Sequence, residues 1–139
     1  MLKCVVILPA FFLLGAVPFL MRGSSATPQA AAFKVPPDAA SKVNPVKPTP
    51  EGLAHAKKMW GYDCAMCHGK EGAGDGDLAG DMHLKLRDYR DPTTLKGLTD
   101  GEIYSIIAKG KGKMTGEEDR MKPELIWDIV NYIRSLAQK

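Results

Sequence analysis

The chain has 139 residues, 45% of them hydrophobic and 25% charged, which is room for one modest domain and a tail but not for two independent cores. Its formal charge of +3 comes from 19 basic and 16 acidic residues that are mixed together, with no dominant Lys/Arg cluster, and this argues against a nucleic-acid partner. Aromatic residues make up only 7%, and 14 glycines and 10 prolines punctuate the chain, so long irregular segments are expected and a large planar group inside the fold would replace missing side-chain core.

The N-terminus reads as a targeting or anchoring segment. Lys3 supplies a positive charge, residues 5–21 (VVILPAFFLLGAVPFLM) are apolar, and Ser24, Ser25 and Ala26 are the small residues that a signal peptidase reads. Residues 1–26 are therefore expected to be a signal peptide or an N-terminal membrane anchor. The apolar run is slightly shorter than the ~20 residues that a spanning helix prefers, and Pro9 and Pro18 interrupt it. Cys4 precedes the run, so it does not stand where the lipid-modified cysteine of an exported lipoprotein would. Cleavage after residue 26 removes Lys3 and Arg22 and leaves an exported protein close to neutral.

Residues 27–48 are rich in proline and alanine. Proline withholds a backbone donor and biases its predecessor toward extended geometry, so neither a helix nor a central strand is expected, and the stretch reads as a linker. A folded domain is expected over 49–139. Thr49 suits a helix cap and Pro50 the first helical position, with Leu53, Ala56 and Trp60 recurring on one face. This helix runs into CAMCH (64–68). A second helix is signalled by Thr99 and Glu102 as a capping box, by Ile103, Ile106 and Ile107, and by Gly110 as a stop. A third starts at Pro123 and carries Ile126, Ile129, Val130, Ile133 and Ala137 as a stripe. No strand pattern is evident, and 69–97 is expected to be mostly loop. The predicted fold class is all-α, with about three main helices, long loops, and the chemistry carried on the loops.

CAMCH concentrates that chemistry. Two cysteines three residues apart on one helical turn can each form a thioether to one of the two vinyl groups of a haem, which sets the adjacent histidine against the iron. A structural zinc site would ordinarily supply a second Cys or His pair, whereas His55 and His83 stand alone. A thioredoxin-like dithiol would follow a strand, whereas Cys64 follows a helix. Cys64, Cys67 and His68 are thus the expected haem-binding residues. For a second axial ligand the candidates are Met66, Met82, Met114, Met121, His55 and His83. Met66 lies inside the attachment turn, Met121 is placed to staple the last helix, and His55 neighbours lysines. Met114 follows the glycine-bearing loop GKGK (110–113) and is preferred, with His83 as runner-up. Residues 69–77 (GKEGAGDGD) lack the Lys-Ser/Thr pair of a phosphate loop, and Asp75, Asp77 and Asp81 match no calcium loop.

CAMCHG, then IIAKGKGKM, then IWDIVNYIRSL, in that order over about residues 50–137, resemble class I cytochromes c, the small monohaem electron carriers, in their exported bacterial form. The resemblance implies haem c attached through Cys64 and Cys67, with His68 and Met114 as axial iron ligands. It also implies a crossing of the first and last helices with Ala56 and Trp60 facing Ile129 and Tyr132. The chain departs from the family in three places. Thr115 follows the methionine where many members have proline, Ala56 stands where many have glycine, and no proline lies between Gly69 and Asp91 to offer a carbonyl to His68. The implied function is one-electron transfer between periplasmic or membrane-bound redox partners, with no catalytic residue. The alternative is a haem enzyme or gas sensor with a displaceable Met114, or a haem subunit of a larger oxidoreductase. Arg87, Tyr89 and Arg90 are expected propionate partners. Lys109, Lys111 and Lys113 alternate along the Met114 loop and are expected to face an acidic redox protein.

Overall fold

The computed structural model describes residues 35–137. The expected signal or anchor segment and residues 27–34 lie outside the described residues. No helix among the described residues is long and apolar enough to cross a membrane.

Among the described residues five α-helices follow one another: α1 (Pro50–Met59), α2 (Ala65–His68), α3 (Asp77–Asp81), α4 (Asp100–Lys109) and α5 (Pro123–Leu136). The three long ones are those expected, and their starts are set by the residues that signalled them. The Thr49 hydroxyl accepts from the Gly52 N–H, with Pro50 in the first turn. At Thr99 both halves of the capping box form, with the hydroxyl accepting from the Glu102 N–H and the Glu102 carboxylate accepting from the Thr99 N–H. Pro123 opens α5.

The apolar stripe of α5 builds the core. Ile126, Ile129, Val130 and Leu136 are almost completely buried together with Trp60, each such side chain contributing about 1.5–3 kcal/mol relative to exposure. Helix α1 packs across α5, with Ala56 fully buried and with Trp60 meeting Tyr132 edge-on at 5.7 Å. Helix α4 joins through Tyr104 stacked on Trp127 at 4.2 Å. Arg134 fastens α5 to the entry of α4, donating to the Asp100 carboxylate at 2.9 Å and to the Leu98 carbonyl at 2.5 Å.

Three local features differ from expectation. Between α1 and α2 the chain takes a π-helical turn over Trp60–Cys64 rather than continuing as α-helix. The predicted loop 69–97 contains α3, whose five residues are too few to show a period. A minimal antiparallel hairpin pairs β1 (Gly110–Lys111) with β2 (Met114–Thr115), also too short to leave an alternating pattern.

The stretch expected to be a linker requires correction over residues 35–48, which are packed on the domain. A 3-10 turn at Ala39–Ser41 seats the fully buried Ala39 against α4, and Asn44 donates to the Asn131 side chain at 2.9 Å while Asn131 donates to the Val46 carbonyl at 3.0 Å. Proline forbids helix and ladder here, but it does not forbid an extended strap whose polar side chains bond to a helix.

Candidate functional site

The π-helical turn over Trp60–Cys64 leads directly into α2, which carries Cys67 and His68. Cys64 and His68 are four residues apart and Cys67 and Cys64 three, so all three can share one side of the turn, and all three line a single cavity of about 670 Å³. That volume falls within the ~300–1,000 Å³ of cofactor pockets. The lining is mainly apolar, drawing Leu78 from α3, Leu95, Ile103 and Ile107 from the α4 region, and Ile129 and Ile133 from α5.

The glycine-rich loop 69–76 holds the attachment turn. The Gly76 N–H donates to the Cys67 carbonyl at 3.1 Å and the Gly74 N–H to the His68 carbonyl at 2.8 Å, satisfying the end of α2. Such closeness requires glycine, because a Cβ on Gly76 would lie 2.4 Å from the Met66 carbonyl oxygen. The loop therefore caps α2.

His68 is held by rings. Tyr89 stacks on it at 5.3 Å with planes 24° apart, and Trp60 lies 5.7 Å away at 44° while its Nε1 donates to the Gly69 carbonyl at 3.0 Å. The buried Nδ1 of His68 has no hydrogen-bond partner among the described residues, in line with the missing proline carbonyl. Burial lowers the His68 pKa, which favours the neutral imidazole needed to bind a metal. Burial, followed by the nearby carboxylates of Asp63 and Glu117, pushes the Cys64 thiol up to about 12.

Met114, on β2, is half-buried and lines the same cavity. So do Met66, Met82 and Met121, but Met66 and Met82 are 55% and 40% exposed, and Met121 is part of the packed core. Neither His55 nor His83 lines the cavity, which leaves His68 as its one histidine among the described residues.

The expected charged contacts divide. Arg87 and Tyr89 line the cavity, with Arg87 also donating to the Thr94 carbonyl at 2.6 Å. Arg90 does not line it and forms a two-pronged pair with Asp88. Lys111 and Lys113 line the cavity and are exposed, whereas Lys109 lies outside it and is paired with Glu118. A cluster not anticipated from sequence joins Asp63, Arg120 and Glu117, all three on the cavity wall.

A mainly helical domain with a cofactor-sized, mostly apolar cavity and a Cys-x-x-Cys-His turn on its wall defines a c-type haem protein. The family model for cytochrome c matches residues 53–137, and the chain belongs to that family. Membership implies one covalently bound haem c and haem-based electron transfer, and the donors on the cavity fit it: two cysteines at thioether spacing beside a half-buried imidazole whose pKa burial lowers. Among solved structures, a chain of the reducing HAO-like protein complex of Kuenenia stuttgartiensis is 25% identical with a TM-score of 0.58, the alignment covering 68% of this chain and 47% of that one. This chain thus spans about half the length of that neighbour. The KustC0563 c-type cytochrome is 23% identical with a TM-score of 0.52, over 58% of this chain and 95% of that one, and shares the fold. No curated protein matches the sequence.

Proposed function

We propose that this cytochrome c is an exported one-electron carrier in which Cys64 and Cys67 form the thioether links and His68 and Met114 are the axial iron ligands. The observation that carries the reading is one cavity lined by both cysteines, one histidine, and a half-buried methionine on a hairpin of its own. When bound, the haem supplies a reversible Fe(III)/Fe(II) couple, and a thioether donor favours the reduced state relative to a second histidine. The chain's own residues exclude water through the Ile and Leu walls, orient His68 between Trp60 and Tyr89, and offer Arg87 and Tyr89 to the propionates. Lys111 and Lys113 present positive charge at the cavity to an acidic redox partner. Residues 1–26 direct the chain to the periplasm, with 5–21 as the anchor if that segment is retained.

The likeness to a chain of the HAO-like complex favours one second reading, a haem subunit of a larger oxidoreductase, with the same ligands and a different assembly. The ligand set is tested by the optical spectrum of the haem-loaded protein beside Met114→Ala. The weak far-red band of sulfur-ligated ferric haem is expected in the wild type and absent from the variant. A wild type that lacks the band and takes up carbon monoxide readily when reduced would instead indicate an open site and the enzyme or sensor chemistry.

A further inference from the structure

Met114 sits on a hairpin of two-residue strands, a unit too small to be stable alone, and Thr115 follows it without the stiffening of a proline. Part of its support comes from α4, because the Glu117 N–H donates to the Ile107 carbonyl at 3.0 Å and the Glu118 N–H to the Ala108 carbonyl at 3.1 Å. Those bonds fix the hairpin to α4 but not to the attachment turn. Arg120 spans that gap. Its Nη2 donates to Glu117 Oε2 at 2.5 Å on the Met114 side and to Asp63 Oδ1 at 3.1 Å, and Asp63 immediately precedes Cys64.

We infer that Arg120 is a positioning residue that latches the Met114 loop to the haem-attachment turn and so keeps the methionine sulfur on the iron; this rests on the His68/Met114 reading above. Exposed ion pairs ordinarily contribute little, and Arg120 is itself 59% exposed, but the two carboxylate side chains that it joins are only 18% and 11% exposed, for Asp63 and Glu117. Removing the guanidinium leaves two poorly solvated negative charges facing each other across the gap. Asp63 is fixed within the π-helical turn, so the strain is relieved by outward movement of the loop that bears Glu117 and Met114. One arginine therefore supplies the rigidity that Thr115 does not.

The test is imidazole titration of the ferric haem-loaded protein, following loss of the far-red band, for wild type, Arg120→Gln, Arg120→Lys and the double variant Glu117→Gln with Arg120→Gln. Arg120→Gln is expected to bind imidazole about tenfold more tightly than wild type, the effect of one lost charge-assisted hydrogen bond. Arg120→Lys is expected to recover part of the difference and the double variant most of it, because neutralising Glu117 removes the repulsion. A band present in the wild type, with Arg120→Gln titrating like wild type, overturns the latch alone. So does a tightened Arg120→Gln that Glu117→Gln leaves unrelieved, since simple loosening of the fold would not be repaired by a second lost contact. A wild type without the band overturns the ligand reading, and the latch with it.

Discussion

The imidazole of His68 is positioned by what stacks on it, and Tyr89 reaches it only because the segment around Tyr89 is held in shape. The Tyr89 N–H donates to the Gly72 carbonyl at 2.8 Å, and its neighbours Asp88 and Arg90 close a small ring through three hydrogen bonds from Arg90 to the Asp88 carboxylate. Those bonds, foremost the side-chain one from Arg90, hold the Asp88 pKa down to about 2. The sign follows. An unfolded carboxyl titrates near ~3.9, so the ring is fully favourable above that pH and is lost as pH falls toward the depressed value. NMR titration of the Asp88 carboxyl should give a midpoint of about 2 in the wild type and a higher one in Arg90→Gln, still below the ordinary value because the backbone N–H of residue 90 remains. An unchanged midpoint in the variant would show that the ring does not control Asp88. Arg90 thus braces the segment bearing Arg87 and Tyr89 through Asp88.

Among the elements, the strap over residues 35–48 makes the most direct prediction, because it is seated on helix surface that has no room to spare. A Cβ at Gly101 in the first turn of α4 would stand 2.0 Å from the Ala39 carbonyl oxygen and 2.7 Å from Lys42. Gly101→Ala must therefore push the strap off α4, at about 1–3 kcal/mol, the usual range for overpacking. Hydrogen exchange should report faster exchange at Lys42, whose N–H donates to Ala39, with α1 and α5 protected as before. Equal protection of the strap in both proteins would mean that its docking does not depend on this contact. The strap also shows why parts of the fold were illegible in sequence. Thr49, Thr99 and Pro123 announce helices because capping is local chemistry, and the Ile stripe of α5 announces a core because its period is long enough to count. Asn44 bonding to Asn131, or Arg120 bonding to Asp63, joins residues 87 and 57 positions apart, and nothing local marks them. The grouping of Cys64, Cys67 and His68 on one cavity was legible because CAMCH is a local pattern, whereas the ring pair around His68 and the capping role of loop 69–76 depend on how distant segments meet.

For the molecule as a whole, the cavity and the core cannot be separated. Ile103, Ile107, Ile129 and Ile133 belong to the core cluster and line the cavity as well, so the side chains that bind α4 to α5 also face the cofactor space. Without a cofactor these walls face water, and each Ile or Leu side chain left exposed forfeits about 1.5–3 kcal/mol of burial, so the loss of a few is substantial. Such a loss is comparable with the ~5–15 kcal/mol by which an ordinary domain is stable. At the α1/α5 crossing Trp60 lines the cavity, but Ala56 and Tyr132 do not, and the contacts they make can retain residual helix. A Cys64→Ser, Cys67→Ser chain prepared without haem should accordingly keep part of its far-UV circular dichroism while losing near-UV signal and a cooperative melting transition. Addition of free haem should restore part of the order through His68 and the apolar walls, though less than covalent attachment does. If the haem-free variant melts cooperatively with dispersed side-chain resonances, the walls close without the cofactor, and the core is more self-sufficient than its cavity implies.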